Sequence, residues 1–184
     1  VLDVLDHATA TPGEGGKLAL DLTAARPDRE VRIADELKLP AWCTGADASL
    51  AAEWGAVVLF ADRAAEADVA DFLRENDTEG LNFVVVVDAE ARGLTHEEML
   101  WHVAGNTDPG RDMRLEGGTL LIDGRTKSPK REGYPRRVPN VVTADAKTIA
   151  LVDRRWEEYG LGDRLASPSE RFGALVGNDG AAAE

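Results

Sequence analysis

The chain reads as an α/β domain in which a mixed or mostly parallel sheet is flanked by helices, and three observations lead there. Four short apolar runs, at 18–20, 57–61, 83–87 and 120–122, end in an acid, Asp21, Asp62, Asp88 and Asp123. Continuous Val- and Ile-rich runs of this length read as strands covered on both faces. Between the second and third lies the segment 64–75, whose Ala65, Val69, Phe72 and Leu73 recur at helical spacing. Strand, helix and strand in so few residues imply a parallel crossover. A later stripe, Ile149, Val152, Trp156 and Tyr159, marks another flanking helix.

Each element follows from local chemistry. Residues 1–16 are a Gly-, Pro- and Thr-containing lead-in, and 18–22 a strand. The stretch 24–55 is poorly patterned, with short helical or loop character around 32–39 and Trp42, Cys43 and Trp54 packing there. Strands at 55–61 and 83–87 bracket the helix 64–75. Thr95-His96-Glu97-Glu98 is a capping box, the Thr oxygen accepting from the backbone while the Glu reaches back. It opens a helix expected to carry Met99, Leu100 and Val103 inward until Pro109, between Gly105 and Gly110, stops it. A strand at 118–123, a basic loop at 124–140 and a helix over 143–159 follow, the last closed by Gly160 and Gly162. On this pattern 1–162 is one domain and 163–184 an extended or flexible C-terminal tail.

Composition excludes several classes. Among 184 residues, 21 Lys and Arg against 34 Asp and Glu give a net charge of −13, which disfavours nucleic acid and anionic membranes. No apolar stretch is long enough for an integral membrane segment, and a single cysteine, Cys43, fits a reducing, cytoplasmic setting. His96 and His102 are six residues apart, which rules out an i, i+4 zinc pair. No nucleophile elbow with a Ser-His-Asp set is present. Gly13-Glu14-Gly15-Gly16-Lys17 lacks the spacer and hydroxyl of a nucleotide P-loop, yet Gly15, Gly16 and Lys17 can offer backbone N–H groups and an ammonium to an anion.

Two patterns leave alternatives open. Parallel strands would gather their terminal acids at the sheet edge where open α/β sheets place ligands, although Asp also ends strands by bonding nearby backbone in turns. An ungapped match pairs 14–30 with 116–132, through Glu14, Gly15, Gly16, Leu18 and Asp21 against Glu116, Gly117, Gly118, Leu120 and Asp123. It reads as duplication or as convergence on one strand-entry pattern. In addition, Arg125, Lys127, Lys130, Arg131, Arg136 and Arg137 lie within thirteen residues holding one acid, Glu132. Such a cluster can meet a phosphate or carboxylate, dock on an acidic face of a sister subunit, or balance charge.

The run from Asn82 to Asp112 carries the most distinctive signature: a strand ending in Asp88, a helix with Trp101 on its second turn, then Asn106, Asp108, Pro109, Arg111 and Asp112. With Gly15-Gly16-Lys17, Asp21-Leu22-Thr23 and Leu121-Ile122-Asp123-Gly124-Arg125-Thr126-Lys127, it resembles the C-terminal portion of UbiD family decarboxylases (carboxy-lyases). That resemblance spans most of 1–162 and implies the single C-terminal domain of a larger enzyme. It implies non-oxidative decarboxylation of aromatic or related unsaturated acids, for example a hydroxybenzoate-type acid in ubiquinone or menaquinone biosynthesis. Prenylated FMN, Mn2+ and K+ would serve the whole enzyme, with a flavin prenyltransferase supplying the cofactor. The proton-transfer and metal-ligand residues would come from the N-terminal part of the same polypeptide, leaving this segment inactive alone. Gly15, Gly16 and Lys17 would shape the pocket mouth, Asp21, Leu22 and Thr23 a lid-like turn, and the basic loop a homo-oligomer contact. The other expectations are a noncatalytic oligomerisation module and a ligand-binding α/β module that takes nucleotides or other phospho-ligands.

Overall fold

The structure, a computed structural model, describes residues 32–33, 37–62, 65, 68–76, 78–127 and 141–176. The strand expected at 18–22, the residues Gly15, Gly16, Lys17, Asp21, Leu22 and Thr23, and the cations Lys130, Arg131, Arg136 and Arg137 lie outside these residues. The chain divides into two compact units, Val1–Val138 and Pro139–Glu184.

In the first unit the order is β1 (Arg32–Ile33), β2 (Cys43–Asp47), α1 (Ala51–Trp54), β3 (Ala56–Ala61), α2 (Ala70–Glu75), β4 (Thr78–Glu79), β5 (Phe83–Asp88), α3 (His96–Asn106), α4 (Pro109–Asp112), β6 (Met113–Glu116) and β7 (Thr119–Asp123). β1 and β4 form a two-stranded antiparallel pair. The remaining strands make one mixed sheet in the order β2-β3-β5-β7-β6. β3, β5 and β7 run parallel at its centre, and β2 and β6 are antiparallel edges. This is the α/β fold that the apolar runs predict.

Burial explains those runs. Val57, Leu59, Ala61, Val84, Val86 and Leu121 pack with Ala70 and Phe72 of α2 in one cluster. The alternate residues Val58, Phe60, Val87 and Ile122 are buried too, so the central strands are covered on both faces and need no polar alternation. α3 begins at the expected capping box: Thr95 Oγ1 accepts from Glu98 N, and Glu98 Oε2 accepts from Thr95 N.

Several sequence expectations need correction. β2 replaces part of the stretch expected to be irregular. Its Cys-Thr-Gly-Ala-Asp has no strand signature, and its conformation comes from pairing along the edge of β3, a tertiary effect. Arg32–Ile33, in the segment expected to have short helical or loop character, is strand. α2 starts at Ala70 because Asp68 Oδ1 accepts from Ala70 N, and this side-chain bond competes with a longer helix. On α3, Met99 and Val103 are buried, but Leu100 and Trp101 are 55% and 51% exposed. The inward place goes to His102, three residues after Met99 on the same face. Trp54 is also about half exposed, since α1 buries only Ala51.

The second unit contains α5 (Ala146–Arg154), a 3-10 turn at Trp156–Tyr159 and α6 (Ser169–Phe172). Asp145 caps α5 through Thr148 N. The helix expected over 143–159 is interrupted at Arg155, where φ is −103° and ψ 7°, and the chain then closes at left-handed Gly160. Ser169 Oγ accepts from Ala144 N, and Arg164 pairs with Asp153 at 3.0 Å. Within the tail expected to be extended or flexible, Ser169–Phe172 is helical. Among the described residues no helix is long and apolar enough to cross a membrane.

Phe72→Ala is expected to cost about 3–5 kcal/mol, as for a fully buried aromatic. Thr95→Ala should cost about 1 kcal/mol through loss of the cap, and Leu100→Ala under about 1 kcal/mol because that side chain is largely solvated. Urea denaturation of the three variants checks this ranking.

Candidate functional site

The parallel strands deliver β5 and β7 to the same edge ending in Asp88 and Asp123. Beyond β7 the chain bends at Arg125, where Asp123 Oδ1 accepts from Arg125 N at 3.1 Å, and Asp123, Arg125 and Lys127 come together. Arg125 is 2% exposed. Its Nε and Nη2 donate to the two oxygens of Asp123 at 2.9 and 2.6 Å, and Nη1 donates to Ala65 O at 2.8 Å. Lys127 Nζ donates to Asp123 O at 2.7 Å, with Asp112 Oδ1 at 3.2 Å and Asp123 Oδ1 at 3.7 Å. Asp112 in turn holds Arg111 through two bonds of 2.8 and 2.7 Å, and its Oδ2 accepts from Asp108 N. Asp108 caps α4 through Gly110 N.

The second half of the site joins β5 to α3. Asp88 is completely buried. Its Oδ2 accepts from Thr126 N at 2.9 Å and Thr126 Oγ1 at 2.6 Å, with His102 Nε2 at 3.4 Å. Asn106 Nδ2 lies beside the His102 ring and donates to Gly124 O. Gly124 is dictated by this approach: a Cβ there would sit 2.9 Å from Val103 Cγ2 and 3.2 Å from Val103 Cα. Any larger residue would push α3 off the end of β7.

Burial alone would raise the Asp123 carboxyl, but the Arg125 hydrogen bonds and the charges of Lys127 and Arg125 hold it at about 2. For Lys127, burial draws the ammonium below the usual lysine range against the upward pull of Asp123 and Asp112. Beside this network runs a groove of about 430 Å³ lined by Asp68, Val69, Arg111, Asp112, Met113, Arg114, Leu121 and Asp123. It lies at the C-terminal end of β7, where open α/β sheets place ligands.

The structure thus unites Asp88, Asn106, Asp108, Arg111 and Asp112 with Asp123, Arg125 and Lys127. One expectation is overturned: Arg125 and Lys127, at 2% and 4% exposure, are not part of an exposed basic docking loop. Their charges are engaged by Asp123 and Asp112. Sequence reasoning missed His102 and Thr126. The signal for His102 was its spacing from Met99 and Asn106 on the inward face of α3.

A Ser49, His96 and Asp47 cluster also forms, but it is no relay. Ser49 Oγ and Asp47 Oδ2 both lie 3.4 Å from the same Nε2 of His96, whereas general-base catalysis requires the acid on the other ring nitrogen. Among the described residues no three His, Cys, Asp or Glu side chains converge as a metal site.

No family model matches the chain. It is similar to uncharacterised proteins of Aeropyrum pernix (30% identity over 42% of this chain and 19% of that protein) and Archaeoglobus fulgidus (35%, over 41% and 19%). A Synechocystis protein, sll0936, is 29% identical over 44% of this chain and 19% of its own. The chain therefore spans about a fifth of the length of the curated relatives it matches. Solved structures with a partly similar fold include a vanillic acid decarboxylase of Sedimentibacter hydroxybenzoicus in open form, at 14% identity over 65% of this chain and 29% of that one, with a TM-score of 0.43. Another is an evolved dimeric form of the UbiD-class enzyme HmfF of Pelotomaculum thermopropionicum in complex with prFMN, at 22% identity over 54% and 22%, with a TM-score of 0.35.

Two measurements probe the network. Lys127→Met should destabilise by about 3–5 kcal/mol by leaving buried carboxylate charge undercompensated, read by chemical denaturation at neutral pH. Asp123 has a folded pKa of about 2 against an ordinary 3.8, so its contribution is present above about pH 4 and lost as pH falls through about 2. That contribution is about 2 kcal/mol, and Asp123→Asn should flatten this part of the stability–pH curve.

Proposed function

We propose that this chain is the C-terminal part of a UbiD-type carboxy-lyase acting on aromatic or related unsaturated acids, in which it braces the pocket wall and takes part in assembly. The observation that carries this reading is a convergence. Of the residues bearing the resemblance, Asp88, Asn106, Asp108, Arg111, Asp112, Asp123 and Lys127 are scattered over forty positions of sequence but meet through hydrogen bonds at the strand ends. Their acids are matched by Arg and Lys or by backbone donors, which suits bracing rather than proton transfer.

Prenylated FMN, Mn2+ and K+ belong in this reading to the larger enzyme. When bound, the prenylated flavin supplies the electron sink. Gly15, Gly16 and Lys17 at the pocket mouth, Asp21, Leu22 and Thr23 as its lid-like turn, and Lys130, Arg131, Arg136 and Arg137 as a contact between copies complete the proposal. A second reading, a module for nucleotides or other phospho-ligands, is favoured by the groove at the end of β7. It would show as thermal stabilisation by nucleotides without flavin.

The test is to produce the longer polypeptide containing this chain together with a flavin prenyltransferase. Prenylated flavin should copurify and carbon dioxide should be released from an aromatic or α,β-unsaturated acid, with neither seen for the 184-residue chain alone. A flavin-free, inactive longer polypeptide, or flavin at equal stoichiometry with the chain alone, would refute the proposal.

A further inference from the structure

The two edges of the sheet are finished differently. At β2 the ladder carries a bulge between Cys43 and Gly45, and Arg92 Nη2 donates to Thr44 O at 3.1 Å and to Thr44 Oγ1 at 3.2 Å. Bulges and covering charges are the usual ways to stop an edge from pairing. β6 has neither. Its register with β7 is unbroken over four pairs, and among the described residues no strand lies on its other side.

The backbone groups on that open edge can be assigned. Gly117 and Gly118, at φ 59° and 89°, form a two-residue hairpin turn, so the flanking pair Glu116 and Thr119 is hydrogen-bonded, and Arg114 with Leu121 is the next such pair. The N–H and C=O of Met113 and Leu115 therefore point away from β7. The Leu115 side chain is 71% exposed, an apolar residue in the middle of this edge.

The side chains are self-complementary. Arg114 and Glu116 share one face, with Arg114 Nε 3.4 Å from Glu116 Oε2. An antiparallel copy of Met-Arg-Leu-Glu placed across a two-fold axis at Leu115 sets Leu115 against itself, Arg114 against Glu116 of the partner subunit, and the reverse. With pairs drawn only from the four strand residues, no other centre gives both an apolar pair and two opposite-charge pairs. We infer that β6 is the contact through which two copies of this chain join edge to edge and continue the sheet. Arg114 also lines the groove beside the buried network and pairs with Asp68 at 2.8 Å, so Glu116 of the partner subunit would stand at the rim of that groove. This names a surface for the homo-oligomer proposed above, and it stands or falls separately from the decarboxylase assignment.

Sedimentation velocity of the 184-residue chain across a concentration series tests it. The parent should self-associate to a dimer. Arg114→Glu alone and Glu116→Arg alone each oppose like charges at two symmetric positions and should weaken the dimer about tenfold. The double exchange Arg114→Glu with Glu116→Arg should restore it to within about threefold of the parent, because opposite charges face each other again. Leu115→Pro removes an outward N–H without touching the β7 ladder and should give a monomer whose circular dichroism matches the parent. A monomeric parent, an unaltered dimer in the Leu115→Pro variant, or a double exchange weaker than either single one overturns the inference. Because no flavin or substrate enters this measurement, its failure leaves the enzymatic reading untouched.

Discussion

A lysine with 1% of its side chain exposed must be surrounded by oxygen, and meeting that need at Lys127 organises the whole end of the sheet. Its ammonium draws in Asp112 from the helical turn before β6 and both the carbonyl and carboxylate of Asp123 at the end of β7. Asp112 then fixes Arg111 and the backbone of Asp108, and Asp123 fixes Arg125, which reaches Ala65 O. Removing one charge from such a network leaves others buried without balance, so its members are constrained together.

The other side of residues 123–127 is tied down by Asp88. Thr126, between Arg125 and Lys127 in sequence, sends its N–H and hydroxyl to that carboxylate, while Gly124 lets α3 approach until Val103 is in contact. The chain leaving β7 is thereby clamped from both sides, by ions on one and by a neutral-to-acidic hydrogen-bond group with His102 and Asn106 on the other. Asp112 and Asp123, both held in this network, line the groove together with Asp68, Arg111 and Arg114.

How much was legible depended on the range of the interaction. Continuous apolar runs in β3, β5 and β7 announced a sheet covered on both faces, because burial on two sides leaves no room for alternation. The capping box at Thr95 and the left-handed Gly160 were legible because each is a bond or a dihedral made within a few residues. Illegible were β2, whose strand character is lent by the edge of β3, and the inward turn of His102 in place of Leu100 and Trp101. Asp88 selects that histidine from fourteen positions away.

The sequence by itself determined the α/β class, the parallel strands with their terminal acids, the capped start of α3 and the glycine stop at Gly160, since these rest on periodicity and on short-range backbone chemistry. Only the tertiary structure decided that Arg125 and Lys127 are internal counter-charges rather than an exposed basic patch. A cation's sequence neighbours do not reveal whether it faces water or an acid contributed from elsewhere in the chain. Lys127 meets Asp112 only because α4 is placed beside the end of β7, and burial, which turns a surface charge into an obligatory partner, is a property of that placement.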